Sequence, residues 1–417
     1  MANMVDYLAW RGDVPLGTAP WNEIDALLGA TLSYLDFHVT HGTQGWTLEE
    51  MARMDLLKEG TTASFAGRKA AFEAMAKSER FGASRLHHAI ALTDPELEMQ
   101  FSAMCLDLPD GSTCVAFRGT DNTVVGWRED FNMAYTTRVP AQEAAVLYLV
   151  RAAALSKRPL RLVGHSKGGN LAVYAAAMAT QRVQKRIEGI WSFDGPGMNR
   201  ETSQTEGYLR IKEKIHSFIP QTSIIGLLMD YYEPYTVVHS TASGINQHDP
   251  MTWEIYGPAF ETLPSVDKTA MVVRDTFHEW LQNSTPEQRA SFVTTLFSMV
   301  ESTKATRISE LTGEKIRSLM TMMGSRKEID PETRKVFNRL FGQAVSLGFG
   351  NVIDWVRGRR EEGSPGEWET MSPQKRRQML LDAMNQDKGE ESAPEKVPEK
   401  APETAVQKGA KPDQILP

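Results

Sequence analysis

The apolar positions along this chain change period close to residue 100. Before it, Ile24, Leu27, Leu28, Leu32 and Leu35 recur at helical spacing, and Thr47 with Glu50 makes a capping box ahead of Met51, Met54 and Leu57. The first eighty residues therefore read as helices. Beyond it, Phe101 to Leu108 and Ser112 to Phe117 are apolar runs joined by Pro109-Asp110-Gly111, a pattern that predicts a β-hairpin or two sheet strands. Pro140 opens an apolar helix reaching about Leu155. Leu160 to Val163 is a short strand, followed by a glycine-rich turn and a small-residue helix from Asn170 to Ala179, and Ile190 to Phe193 and Ile215 to Ile219 are further strands. Strands alternating with helices predict an α/β domain built on a mainly parallel sheet covered on both faces.

Strand signals stop after about residue 265. Ala270, Val273, Phe277, Trp280 and Leu281 form one helical stripe, Thr285-Pro286-Glu287-Gln288 starts another helix and Asp330-Pro331-Glu332 a further one. From Asn385 onward Pro, Glu, Lys and Ala dominate, with almost no large apolar side chain to offset ordering entropy. The expected organisation is an α/β domain over 1–265, a helical region over 266–384 and a disordered tail over 385–417. The helical region or the tail offers a place for a protein partner.

Composition narrows the function. The chain has 417 residues and a net charge of −7, with a pI near 5.8, which gives no basic footprint for a phosphate backbone; no nucleic-acid partner is expected. No run approaches the ~18 apolar residues of a membrane span. Cys105 and Cys114 flank the Pro-Asp-Gly turn without forming a C-x-x-C pair, and the start of the chain lacks a basic segment followed by an apolar one. Free thiols and a cytoplasmic location are the expectation. His87-His88 and His38-x-x-His41 have no evident third ligand, so no metal is expected.

The chemistry concentrates at Gly164-His165-Ser166-Lys167-Gly168, which fits a G-x-S-x-G nucleophile elbow and lies between a predicted strand and a predicted helix. Glycines let backbone approach backbone there, so that Ser166 Oγ projects above the sheet. A serine hydroxyl needs a base, and the base needs an acid to fix its tautomer. His216, His239, His248 and His278 follow Ser166. His278 sits on an amphipathic helix and His216 within a strand, where a satisfied core histidine is the plainer reading. His248 stands in the polar loop Gly244-Ile245-Asn246-Gln247-His248-Asp249-Pro250 and is preferred as base over His239, which follows Val237-Val238.

Asp194 directly follows the strand Ile190 to Phe193, at the strand end where catalytic groups of open α/β sheets gather. It is the preferred acid, with Asp230 and Asp249 as alternatives. An oxyanion hole is expected from Thr120, after the strand-ending Phe117-Arg118-Gly119, and from the backbone N–H of Lys167.

Phe117-Arg118-Gly119-Thr120, Gly126-Trp127-Arg128-Glu129-Asp130 and Gly-His-Ser-x-Gly-Gly over 164–169 together resemble the class 3 (fungal type) lipase branch of the α/β-hydrolases. With Asp6-Tyr7-Leu8 and Gln247-His248-Asp249-Pro250, the chain looks closest to a bacterial branch of those lipase-like proteins, over about residues 5–260. The resemblance implies Ser166 as nucleophile and Thr120 in the oxyanion hole. Two departures stand out: Lys167 replaces the usual apolar residue after the serine, and Pro220-Gln221-Thr222-Ser223 lacks the aspartate that class 3 lipases carry in this region. Asp194 instead resembles the acid of pancreatic-type lipases.

The expected activity is therefore that of a serine acyl hydrolase acting on a small-molecule or lipid ester, needing no cofactor. A thioesterase or peptidase with the same triad, or an idle hydrolase scaffold serving as an interaction protein, are the alternatives.

Overall fold

A computed structural model of the protein describes residues 2–302, apart from 39–44, 61–62, 122, 134–135, 137 and 224. The helix expected near Asp330 and the tail expected from Asn385 lie outside the described residues.

The N-terminal segment folds into α1 (Met4–Arg11), α2 (Glu23–Leu32), α3 (Leu48–Arg53) and α4 (Ala63–Lys77), with the short strand β1 (Trp46–Thr47) before α3. Local chemistry sets three of these starts: Asn3, Asn22 and Thr47 each cap a helix whose third residue, Asp6, Asp25 or Glu50, reaches back to the cap's N–H. Then come β2 (Arg85–Asp94), β3 (Met99–Asp107) and β4 (Thr113–Phe117). β3 and β4 are the antiparallel pair read from the sequence. Cys105 faces Val115 rather than Cys114 in that register, and both thiols are free and buried. The sequence pattern predicts no strand over β2, where a bulge between His87 and Ile90 interrupts the pairing with β3.

After β4 the chain crosses over through α5 (Val124–Met133) and α6 (Pro140–Leu155) to β5 (Leu160–His165). It continues through α7 (Lys167–Met178) and α8 (Gln181–Gln184) to β6 (Ile187–Phe193), and through α9 (Arg200–Ser203) and α10 (Glu206–Ile211) to β7 (Ile215–Pro220). β8 (Tyr235–Val238) follows, then a small ribbon of β9 (Ile255–Tyr256) and β10 (Ala259–Phe260), and the edge strand β11 (Thr262–Leu263). Among the described residues the main sheet runs β1-β2-β3-β4-β5-β6-β7-β8-β11, with β4 to β8 parallel. This is an α/β-hydrolase fold.

Alternation along the strands divides the core between two faces. Ala116 and Val163 join the cluster built by α1 to α4, including Leu27, Leu28 and Phe72, whereas Phe117 meets Tyr148 of α6 on the other face. His216 is a correction: it is exposed at the start of β7, stacked on Trp191 at 5.2 Å between ring centroids, because its neighbours Ile215 and Ser217 take the buried positions. Past β11, α11 (Lys268–Asn283) sets Ala270 against Ile219, Leu227 and Val237. Phe297 of α12 (Pro286–Ser302) meets Phe131 of α5.

Candidate active site

The parallel strands end along one edge, and the candidate residues follow neighbouring strands: Thr120 after β4, Ser166 after β5, Asp194 after β6 and Ser223 after β7. Strand register brings them level, with Phe117 opposite Gly164, His165 opposite Phe193 and Phe193 opposite Phe218.

Ser166 turns the chain from β5 into α7 at φ 58° and ψ −135°, a left-handed conformation costly for a residue with a Cβ. The turn is held by its own N–H donating to Phe193 O at 2.9 Å and by Gly169 N–H donating to Ser166 O at 2.9 Å. Gly164 is obligatory, since a Cβ there would lie 2.1 Å from Gly168 O. Although serine is a favoured helix N-cap, the Ser166 hydroxyl does not cap α7. Its oxygen is thus not committed to the helix it precedes.

Asp194 is also left-handed, at φ 45°, and its N–H donates to Phe218 O at 2.7 Å. The carboxylate is 1% exposed. Oδ2 accepts from His248 Nδ1 at 2.6 Å, and Oδ1 accepts from the Ser223 hydroxyl. Tyr231 secures the following turn by donating to Gly195 O at 2.6 Å. His248 closes a 3₁₀ turn, Gly244–His248, and keeps a quarter of its side chain exposed.

Two anchors hold the loop that carries it. Gln247 accepts from Thr222 N–H at 2.7 Å and, through its carbonyl, from the buried Trp253 Nε1 at 2.7 Å. His165 Nε2 donates to His248 O at 2.7 Å, so His165 Nδ1 accepts from the Tyr34 hydroxyl at 2.9 Å. Burial, with His248 and Arg68 nearby, keeps His165 neutral, far below the usual imidazole range.

The alternative residues are engaged elsewhere. His239 Nδ1 contacts Glu254 at 2.6 Å, Asp230 lies 3.5 Å from His278, and Asp249 accepts from Met251 N–H at 3.1 Å to start the next turn. In the apolar segment between Ser223 and Met229, Leu227 and Met229 are buried.

On the opposite side of the serine, Gly119 comes so close that a Cβ on it would lie 2.8 Å from Ser166 Cβ. The next residue, Thr120, donates its hydroxyl to Asp130, whose carboxyl burial pushes up to about 6 against the pull of Lys167 and Thr120. Lys167 begins α7, and its side chain is buried, with Nζ bonded to Gln100 of β3 and Glu129 of α5. The sequence alone does not single out Ser223, Asp130, His165 or Tyr34 as site residues. Their signals were the hydroxyl after β7, the acidic pair in Gly-Trp-Arg-Glu-Asp, and the histidine inside the elbow motif.

His87 and His88 contact each other through Nδ1 at 2.5 Å, and His87 Nε2 lies 3.3 Å from Asp107. Among the described residues no group of three or more His, Cys, Asp or Glu side chains could hold a metal ion, and no helix is long and apolar enough to cross a membrane.

A strained serine between a parallel strand and a helix, on a sheet of this order, defines a scaffold of the lipase-like α/β-hydrolase class. The Mbeg1-like family matches residues 75–298, more than half of the chain, and the protein belongs to that family. No curated protein matches it by sequence. Among solved structures it is similar to M37 lipase, at 14% identity over 48% of this chain and 68% of that one, with a TM-score of 0.31. A triacylglycerol lipase from Penicillium expansum is similar at 13% identity over 41% and 73%, with a TM-score of 0.27.

Proposed function

We propose that this protein is a serine acyl hydrolase cleaving carboxylic esters of small molecules or lipids. The observation that supports it most is the 2.6 Å contact of His248 Nδ1 with the buried Asp194, on the strand end next to the one that carries Ser166. With Nδ1 engaged, Nε2 is the nitrogen left to take a proton.

In this reading the Ser166 proton passes to His248 Nε2 as Oγ bonds to the ester carbonyl carbon. The carbonyl oxygen becomes an oxyanion facing the N–H groups of Thr120 and Lys167. Collapse breaks the bond to the alkoxy oxygen, which leaves with the proton from His248. Water, deprotonated by the same imidazole, then bonds to the acyl carbon, the bond to Ser166 Oγ breaks, and Oγ takes the proton back from His248 as the acid leaves. Asp194 fixes the tautomer throughout and stabilises the imidazolium.

The test is reaction with a fluorophosphonate, which requires an activated hydroxyl. Ser166 is the expected site of modification, and labelling is expected to vanish in Ser166→Ala. Labelling that persists in that variant overturns the assignment of the nucleophile; a folded protein that is never labelled favours an idle scaffold.

A further inference from the structure

Lys167 stands where an apolar side chain would suffice, directly after the proposed nucleophile, yet it buries an ammonium group. It is 1% exposed, and Nζ donates to Gln100 O and Gln100 Oε1 at 2.8 Å each and to Glu129 Oε2 at 2.9 Å. Glu129 is fully buried. Its Oε2 also accepts from Gln100 N–H at 3.0 Å and its Oε1 from Ala141 N–H at 2.8 Å, so one carboxylate ties β3, α6 and α7 to α5. A buried ion pair is a costly way to fill a core, since apolar replacements of such pairs are often neutral or stabilising. What the pair supplies is a fixed direction.

The next residue on α5 is Asp130, which accepts from the Thr120 hydroxyl. Gly126, one turn earlier, completes the packing: a Cβ there would lie 3.0 Å from Thr120 Cγ2 and 3.2 Å from Gln100 Oε1. Resting on the hydrolase reading above, we infer that Glu129 is a positioning residue for the oxyanion hole. Through Lys167 it fixes the residue that supplies one donor, while its neighbour Asp130 fixes Thr120, so that a single turn of α5 sets both sides of the hole.

The arrangement couples charge to geometry. Asp130 grips Thr120 more strongly while ionised, a charged acceptor making a hydrogen bond roughly twice as strong as a neutral one, and burial lifts its titration to about 6. The groups facing it are Lys167 on α7, His248 in its loop, Glu129 on its own helix, and Tyr34 after α2. Lys167 favours the ionised form more strongly than Glu129 opposes it. Removing the Lys167 charge therefore shifts the loss of Thr120 positioning to higher pH, and removing the Glu129 charge shifts it to lower pH.

The experiment measures kcat and KM for a short p-nitrophenyl ester against pH, using the full chain, with fluorophosphonate labelling of Ser166 as control. Lys167→Met is expected to lower plateau kcat by about 10-fold or more, with KM held within about 2-fold, and to move the acid limb upward. Glu129→Gln is expected to move that limb downward, and neither shift is expected in an Asp130→Asn background. Should Lys167→Met leave too little folded protein, Glu129→Gln/Lys167→Met removes both buried charges at once and is expected to retain the kcat loss and a net upward shift. Shifts of one sign, shifts that persist without Asp130, or an unchanged kcat in a folded variant overturn the inference. A parent protein that neither labels nor turns over ester overturns the hydrolase reading instead.

Discussion

Two histidine–carboxylate pairs in this molecule have the same length and different surroundings. His248 and Asp194 meet at 2.6 Å, as do His239 and Glu254. The Asp194 side chain is 1% exposed, receives the Ser223 hydroxyl on its second oxygen, and sits one strand from Ser166. Glu254 is 20% exposed and His239 33%, and their backbones pair with each other where the chain returns from β8 toward β11. A short contact between imidazole and carboxylate is therefore a poor indicator of chemistry by itself. On the proposed reading, enclosure makes the carboxylate hold one tautomer against competition from water, and position on the strand edge decides whether the other nitrogen has anything to act on.

The strongest way to break the comparison is to neutralise the buried acid. On the proposed reading, Asp194→Asn preserves shape but removes the charge that would steady an imidazolium, and such a change in a serine triad costs up to ~10⁴-fold in turnover. That loss is expected here for a short ester, with circular dichroism unchanged. Near-normal turnover in a folded Asp194→Asn protein would reduce Asp194 to a turn residue and leave the two pairs equivalent.

A second change sharpens the comparison from within the buried pair. The Ser223 hydroxyl donates to Asp194 Oδ1 and accepts from Gly226 N–H at 3.0 Å, linking the acid to the turn after β7. Ser223→Ala leaves a buried carboxylate oxygen short of a donor, which loosens the imidazole without removing the charge. A fall in kcat of roughly 10-fold with little change in KM is expected. Unchanged steady-state kinetics would show that Oδ1 needs no such donor.

These contrasts also explain what the chain alone revealed. The elbow was legible because G-x-S-x-G encodes a backbone requirement, the approach of Gly164 to Gly168, and because Asp194 carries a strand-end address. The contact of His248 with Asp194 joins two residues that the sequence offers separately, one from a polar loop and one from a strand end, and the choice of His248 over His239 as base rests on that loop context. Ser223 was invisible as a partner: its signal is one hydroxyl, and its role comes from β6 and β7 lying side by side, which no local spacing records. The same holds for Glu129 and Lys167, 38 residues apart in sequence and joined only by the crossover through α5 and α6. His216 was misplaced because period-2 burial in β7 depends on which face the strand start presents, and Trp191 on β6 supplies a stacking surface instead of enclosure.

The smallest effect belongs to the pair whose carboxylate is partly open to water, His239 with Glu254, and it is the cleanest control. Glu254→Gln keeps the side chain's size and its ability to accept from His239 while deleting one charge at a site open to water. Exposed ion pairs contribute about 0–1 kcal/mol, because solvent screens the attraction and ordering the side chains offsets part of it. The backbone bonds beside the end of β8, from His239 N–H to Glu261 O and from Glu254 N–H to His239 O at 2.8 Å each, do not depend on the carboxylate. Thermal unfolding is therefore expected to shift by no more than a few degrees, and ester turnover to stay within about 2-fold of the parent. Measured beside Asp194→Asn on the same substrate, the pair of variants gives a ratio of turnovers near 10³ or more if enclosure and address create the active histidine. A loss in Glu254→Gln comparable with that in Asp194→Asn would transfer the base to His239 and make the buried pair at His248 the structural one.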